Sequence, residues 1–494
     1  MRVRRVAVLG GGPGGLYAAR LLKLTDPACE VTVHEQGDPD STFGFGVGLA
    51  AGTQRKLAAA DPDSLRDVLA AGRRHDMRMT GSDGSAADVV RVRNDRLIGI
   101  ARTELLAILQ RHAEKAGVAL EFGARRSADE LDADLVIAAD GVSSATRENG
   151  PFGGRVTTGR GLYLWAGTEF ALPDALFAPV TTEHGVLVTH AYPYSAERST
   201  FLVETDETTW RRAGFAEIDV APEASDEVSL RYLERAFAEQ LGGRRLIGNR
   251  TRWLRFRTVT CERWSAGRTV LLGDAAHTAH YSIGSGTKLA MEDAIALVDA
   301  LRTAPDRASA FAEYERVRRP AVERLQELAR RSALWWESFP LRRHLPAAQL
   351  MVAYMSRAGN VPLPRFAGTS PDVVRAALRT YAGEPGPADP AAVTEWVLAR
   401  QRAAFPAEPV HVDLRDPWGP DGDAVLAGVG GRAVRLTGPA ERGAVLTRLD
   451  LGERLRIETG SLVEVEAPAA LRDDLAAGLV SGRCDRVLLS EEEA

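Results

Sequence analysis

At 494 residues the chain has room for about three compact units of roughly 150 residues each. Its 62 Lys plus Arg against 67 Asp plus Glu give a formal net charge of −5, which provides no basic field able to track a phosphate backbone and argues against a nucleic-acid partner. Hydrophobic residues at 45% and charged residues at 26% suit a soluble globular protein, and no run approaches the roughly 18 apolar residues of a membrane span.

In chain order, MRVRRVAVLGGG starts like a leader, yet its apolar run stops at Leu9 and breaks into glycines, so it reads as a first strand. GGGPGG follows, then apolar residues at helical spacing over 16–24 and an alternating run over 31–34, which together predict a βαβ unit. The spacing predicts helices over 50–80 and 103–116 and a buried strand over 135–139. From about 160 to 256 short β-like runs (161–170, 185–192, 199–204) surround one polar helix near 224–241. A buried strand is expected at 269–272, and helices at 288–304, 311–336 and 347–356. AGEPGPADP over 382–390 is too rich in Pro and Gly for an element interior and reads as a linker. Beyond it, alternating β and α patterns predict a small α/β unit ending in the acidic SEEEA tail. Three scattered cysteines, Cys29, Cys261 and Cys484, form no CxxC pair, so neither disulfides nor a metal site is expected, and a reducing, cytoplasmic setting fits.

Three glycine loops carry the chemistry, each behind a buried strand. Gly10, Gly12 and Gly15 form GxGxxG between strand and helix, where glycine permits a tight turn and close backbone approach to a pyrophosphate. Glu35, 20 residues after Gly15, ends the second strand, where a carboxylate can accept from both hydroxyls of an unphosphorylated ribose. That favours FAD or NAD over NADP. Asp140 and Gly141 open DGVSSATR, with Ser144 and Arg147 at DGxxSxxR spacing; read alone, Asp-Gly after a strand is also a plain turn. Gly273 and Asp274 lie in GDAAH, after which SIGSGTKLAMEDA brings Gly284, Gly286 and a helix N-terminus able to hold an anion or a polarised carbonyl.

GGGPGG with Glu35, DGxxSxxR and GDAAH, in this order, resemble the class A flavoprotein aromatic hydroxylases, which have the fold of para-hydroxybenzoate hydroxylase; the likeness runs over residues 1–385. The third loop departs from the common GDAAHxxxPxxGQG, with Tyr281 and Ser282 near the usual Pro and Ser285 in place of Gln. In this it is similar to the salicylyl-CoA and anthraniloyl-CoA hydroxylase branch. The resemblance implies an α/β fold in which a glutathione-reductase-type, Rossmann-like FAD domain (1–160 and 256–300) carries an inserted β-sheet substrate domain (161–255). A helical region (301–381), the linker (382–390) and the small α/β unit (391–494) follow. Residues 391–494 are too few for the large barrel attached to some relatives, of roughly 250 residues, although RLDLGERLRIETGSLVEVEA resembles the last βα turns of one. No second flavin is expected there.

By the same resemblance, Gly10, Gly12, Gly15, Glu35 and Arg102 would bind the adenosine diphosphate half of FAD. Asp140 and Gly141 would serve the flavin loop, Asp274 the ribityl chain, and Gly284, Gly286 and Thr287 the isoalloxazine. NADH or NADPH would act as a transient co-substrate, and O2 would react through a flavin hydroperoxide. The substrate would be an electron-rich aromatic, a hydroxy- or amino-benzoyl group linked to coenzyme A, an adenylate or a carrier. Alternatives are a free aromatic or indole compound and, in another class, a flavin-fold protein that binds without catalysis. Nothing in the sequence sets the oligomeric state. His280 and Tyr281 flank the flavin loop, either to polarise a phenol or aniline or as packing groups. Tyr163 and Trp165 read as substrate wall or as core aromatics. Arg73, Arg74 and Arg78 cluster as candidates for a phosphate-bearing handle, or as a solvated helix face.

Overall fold

The run RVAVL forms the strand Arg5–Leu9 with its last four residues buried. It pairs in parallel with Glu30–His34 on one side and Leu135–Ala138 on the other, which explains why these strands are apolar without alternation. The structure, a computed structural model, describes residues 3–40, 42, 44–81, 88–94, 97–284 and 286–490. Ser285 and the acidic end 491–494 lie outside the described residues.

Two units are present: Met1–Asp76, Asn94–Leu176 and Thr182–Ala333 make the first; Met77–Arg93, Phe177–Thr181 and Leu334–Ala494 make the second. In the first, the sheet order is Ser265–Ala266, Thr269–Leu271, Leu135–Ala138, Arg5–Leu9, Glu30–His34, Ala119–Glu121, parallel except at its antiparallel 265–266 edge. The helix Pro13–Thr25 crosses between the first two strands and packs against the helix Gly286–Thr303. The turn before it requires glycine twice. Gly10 has φ +100° and a Cβ there would lie 2.3 Å from the Ala139 carbonyl oxygen; at Gly15 a Cβ would lie 2.1 Å from the Gly10 oxygen.

A second, antiparallel sheet in the same unit is built on the long strand Gly154–Thr168, which pairs with Ser199–Thr205 and with Trp253–Cys261. Ser199–Thr205 in turn pairs with Gly185–Pro193. Of these, Trp253–Cys261 (WLRFRTVTC) was not expected as a separate strand. The helix expected over 50–80 is instead two helices, Ala51–Ala60 and Pro62–Ala71, followed by strands Arg73–Arg74 and Met77–Thr80. The break is chemical: Asp61 caps the second helix by accepting from Ser64 N, Pro62 fills its first turn, and Gly72 ends it. Arg73 and Arg74 then pair with Gly99 and Ile98.

The second unit holds the hairpin Met77–Thr80 with Val89–Val92, helices Ala347–Ser356, Leu363–Thr369 and Pro371–Ala382, and a four-stranded sheet. Its strands Glu408–His411, Val434–Thr437, Val463–Pro468 and Arg486–Ser490 are all parallel and lie in sequence order. A helix spans each crossover: Pro420–Val429, Arg442–Thr459 and Arg472–Val480. Consecutive order is that of a βα-barrel segment, not of a sheet with a reversal point. No described helix is long and apolar enough to cross a membrane.

Candidate active site

The three glycine loops converge on one cavity of about 580 Å³ inside the first unit. The first loop contributes Gly12, Pro13 and Gly14, the second Ala139 and Gly141 to Ser143, the third Leu272, Gly273, Asp274, Gly284, Gly286 and Thr287. The helix Pro13–Thr25 starts at Gly12 without a side-chain cap and with proline in its first turn, so its leading N–H groups and the positive end of its dipole are left for an anion. A Cβ on Gly12 would have nothing within 4 Å: unlike Gly10 and Gly15, this glycine keeps space open in the cavity itself.

The second and third loops are locked together from behind. Ser144 caps the short helix Ala145–Asn149 by accepting from Arg147 N, and the buried Arg147 guanidinium donates to the Ala275 and Val142 carbonyls at 3.1 and 2.8 Å. DGxxSxxR is thus a clamp between loops. Asp140 Oδ2 accepts from Thr146 N and Oγ1 at 3.2 and 2.9 Å, while its buried Oδ1 has no partner. His277 is structural, its Nε2 lying 2.7 Å from Asp293 Oδ2, which also accepts from Gly273 N at 3.1 Å; Arg318 Nε donates to the other oxygen at 2.7 Å.

Two charges face the cavity, Asp274 open to it and Arg102 half-buried. Burial pushes the Asp274 carboxyl above its ordinary range, against the pull of Arg102 and His277. Burial likewise lowers Arg102, with Asp274 and Tyr192 opposing, and Arg102 Nε is buried without a hydrogen-bond partner. Such an unsatisfied buried atom is costly unless a polar ligand completes it.

The opposite wall is the antiparallel sheet. Its register sets His190 beside Leu202 and Leu202 beside Trp165, and all three line the cavity together with Tyr163, Tyr192 and Thr200. Tyr163 meets Tyr281 at a tilt of 58° with ring centroids 4.7 Å apart, and Tyr281 also meets Phe256 edge-on at 5.8 Å. Burial pushes Tyr163 and Tyr192 up to about 12, so both stay protonated near neutrality; Tyr192 OH donates to the Gly46 carbonyl at 2.7 Å.

Of the residues singled out from sequence, Gly12, Arg102, Gly141, Tyr163, Trp165, Asp274, Tyr281, Gly284, Gly286 and Thr287 line this one cavity. Gly10, Gly15, Asp140 and Glu35 stand behind it; Glu35 accepts from Gly11 N at 2.7 Å and Gly37 N at 2.8 Å. His280 is not on the lining and its Nδ1 lies 2.8 Å from Ser282 Oγ. The histidine on the lining is His190, which sequence reading passed over although THAY alternates His190 with Tyr192 on one face. Arg73, Arg74 and Arg78 do not line the cavity either; the arginines that do, besides Arg102, are Arg252, Arg255 and Arg257. The residues present fit FAD: a helix N-terminus and Arg102, with its orphaned Nε, for the pyrophosphate, Asp274 open to the cavity for a ribityl hydroxyl, and the open face at Gly12.

Residues 101–329 match the family model described as an FAD binding domain. The chain is 42% identical over 349 residues to a salicyloyl-CoA 5-hydroxylase of Streptomyces sp, an alignment covering 68% of this chain and 66% of that protein. It is 39% identical over 362 residues to a 3-hydroxy-4-methyl-anthranilyl-(aryl-carrier protein) 5-monooxygenase of Streptosporangium sibiricum, covering 72% and 95%. Among solved structures, 2-methyl-3-hydroxypyridine-5-carboxylic acid oxygenase shares the fold with a TM-score of 0.54 at 20% identity, covering 72% of this chain and 96% of that one.

Proposed function

This chain belongs to the FAD-dependent aromatic hydroxylases, and from that premise we propose that it hydroxylates an electron-rich aromatic acyl group, a hydroxy- or amino-benzoyl thioester, with NAD(P)H and O2 as co-substrates. The observation that carries the reading is the single cavity shared by the three glycine loops and an aromatic wall of Tyr163, Trp165 and Phe256 from the sheet with Tyr281 from the third loop. FAD, when bound, supplies the oxygen-transferring chemistry. The chain's own residues do the rest. The first turn of Pro13–Thr25 and Arg102 hold the pyrophosphate, and Asp274 accepts from the ribityl chain. Tyr163, Phe256 and Tyr281 orient the ring and exclude water, which limits wasteful side reactions.

Tyr163 and Tyr192, protonated near neutrality, serve as hydrogen-bond donors and wall rather than as bases. His190 is then the side chain placed to take a proton from the phenol or aniline at its imidazole nitrogen. His190→Gln is expected to lower kcat by about 10²- to 10⁴-fold while flavin content stays at the wild-type level. A variant that turns over within twofold of wild type would remove His190 from this role.

The substrate class is tested by NAD(P)H oxidation and product formation with hydroxy- and amino-benzoates as free acids, coenzyme A thioesters and carrier-linked thioesters. The thioesters are expected to couple oxidation to hydroxylation far better than the acids, because binding energy from a remote handle assists positioning at the ring. Equal coupling with the free acid points instead to a free aromatic substrate.

A further inference from the structure

The charges on the cavity wall do not balance. Arg102 has Asp274 opposite it, but no lining carboxylate faces Arg252, Arg255 and Arg257. Arg255 reaches Glu207 at 2.8 Å and the Arg160 carbonyl, and Arg257 donates to Ser143 Oγ at 3.2 Å. Arg252 is half-buried and has no hydrogen-bond or ion-pair partner among the described residues. Three guanidiniums thus meet one carboxylate.

Their placement follows from the strand. Leu254 is in register with Tyr163 and Arg255 with Leu162; because side chains alternate along a strand, Arg252, two residues before Leu254, lies beside the aromatic cluster, while Arg255 points to the other face, toward Glu207. At about 3.3 Å per residue the arginines spread over roughly 16 Å from Arg252 to Arg257. That is more cationic wall than one carboxylate on a ring can use, and the pyrophosphate loops have their own cation in Arg102. It suits a long arm ending in a phosphate, which a guanidinium can grip by two parallel hydrogen bonds.

We propose that Arg252 binds the phosphate of a phosphopantetheine arm carrying the acyl group. This rests on the thioester reading above and assigns its handle a site. Coenzyme A and an aryl-carrier protein present the same arm.

The test is calorimetric titration of the flavin-loaded protein with pantetheine, 4′-phosphopantetheine, coenzyme A and benzoate. Wild type is expected to bind the two phosphorylated ligands at least about tenfold tighter than pantetheine, the gain of a single charge-assisted contact. Arg252→Ser should erase that difference and leave pantetheine affinity, flavin content and the KM for NAD(P)H unchanged. Competition by 3′,5′-ADP would mark free coenzyme A as the source, and its absence with equal affinity for coenzyme A and phosphopantetheine would mark a carrier; either supports the arm's phosphate. Equal wild-type affinity for pantetheine and phosphopantetheine overturns the proposal. So does an Arg252→Ser defect confined to benzoate or to NAD(P)H. Turnover separates the two failures: a thioester hydroxylated without dependence on its phosphate overturns the handle site alone, whereas no engagement of phosphopantetheine and preferred turnover of the free acid overturn both.

Discussion

Asp293→Ala is expected to destabilise the protein by about 3 to 5 kcal/mol, the range for removing one partner of a buried ionic network. Asp293 is fully buried and takes three hydrogen bonds, from Gly273 N, His277 Nε2 and Arg318 Nε. Its loss leaves the Arg318 guanidinium, itself 5% exposed, with the longer 3.4 Å contact to Glu292 in place of its 2.7 Å bond, and frees the backbone of the GD loop. Thermal unfolding followed by circular dichroism should show a midpoint lower by several degrees, and flavin should leave at a lower temperature still, because Gly273 precedes the cavity residue Asp274. Asp293→Asn, which keeps the shape without the charge, should fall between. Burial alone would raise the Asp293 carboxyl, but His277 and Arg318 outweigh it and hold it below the usual range. A carboxyl lowered in the folded state contributes stability that is fully present above its unfolded value and is lost as pH falls through the folded one. The gap between wild type and Asp293→Ala should therefore be flat from neutrality to about pH 4, the ordinary carboxyl range, and close only below it. A midpoint within one degree of wild type would contradict this account of the loop.

How much of this was legible in the sequence depended on which constraint shaped each segment. The glycine loops were legible because they answer to backbone sterics: Gly10 and Gly15 are fixed by the Ala139 and Gly10 carbonyls, and no other residue type fits. Ser144 and Arg147 were visible as a spacing, but their work as a clamp was not, since the Ala275 carbonyl that Arg147 grips lies 128 positions away. The strand GVLVTHAYP was recognisable, yet which of its residues face a cavity depends on a register through Leu202 to Trp165 that no local pattern encodes. His280 attracted attention because it adjoins the flavin loop, but it caps the 3₁₀ turn Tyr281–Ile283 and turns its ring to Ser282. The run 50–80 looked helical throughout because its composition favours helix; Asp61, Pro62 and Gly72 outweighed propensity, and the pairing of Arg73 with Gly99 drew the next residues into a sheet. In the last hundred residues the alternation of β and α was plain, whereas their consecutive parallel order is a tertiary fact.

For Asp274→Asn, two opposite effects are expected in one variant. FAD affinity should fall by roughly 10- to 150-fold, equivalent to the 1.5 to 3 kcal/mol of a hydrogen bond to a charged acceptor, because the amide is a weaker acceptor for the ribityl hydroxyl. The flavin-free protein should become more stable. Burial holds the Asp274 carboxyl above its ordinary range in the folded chain, with Arg102 and His277 only partly offsetting it. A carboxyl raised in this way binds more protons folded than unfolded, so its contribution to stability declines as pH rises above the unfolded value. Replacing it with a neutral amide removes that decline, and the stabilisation should grow from about pH 4, the ordinary carboxyl range, toward neutrality. Fluorescence titration of flavin-free protein with FAD measures the first effect, and thermal unfolding of the same preparation at pH 4.5 and pH 7.5 measures the second. A variant that binds FAD as wild type does, or whose flavin-free form loses stability at pH 7.5, would show that the Asp274 carboxylate is held for packing and not for the cofactor.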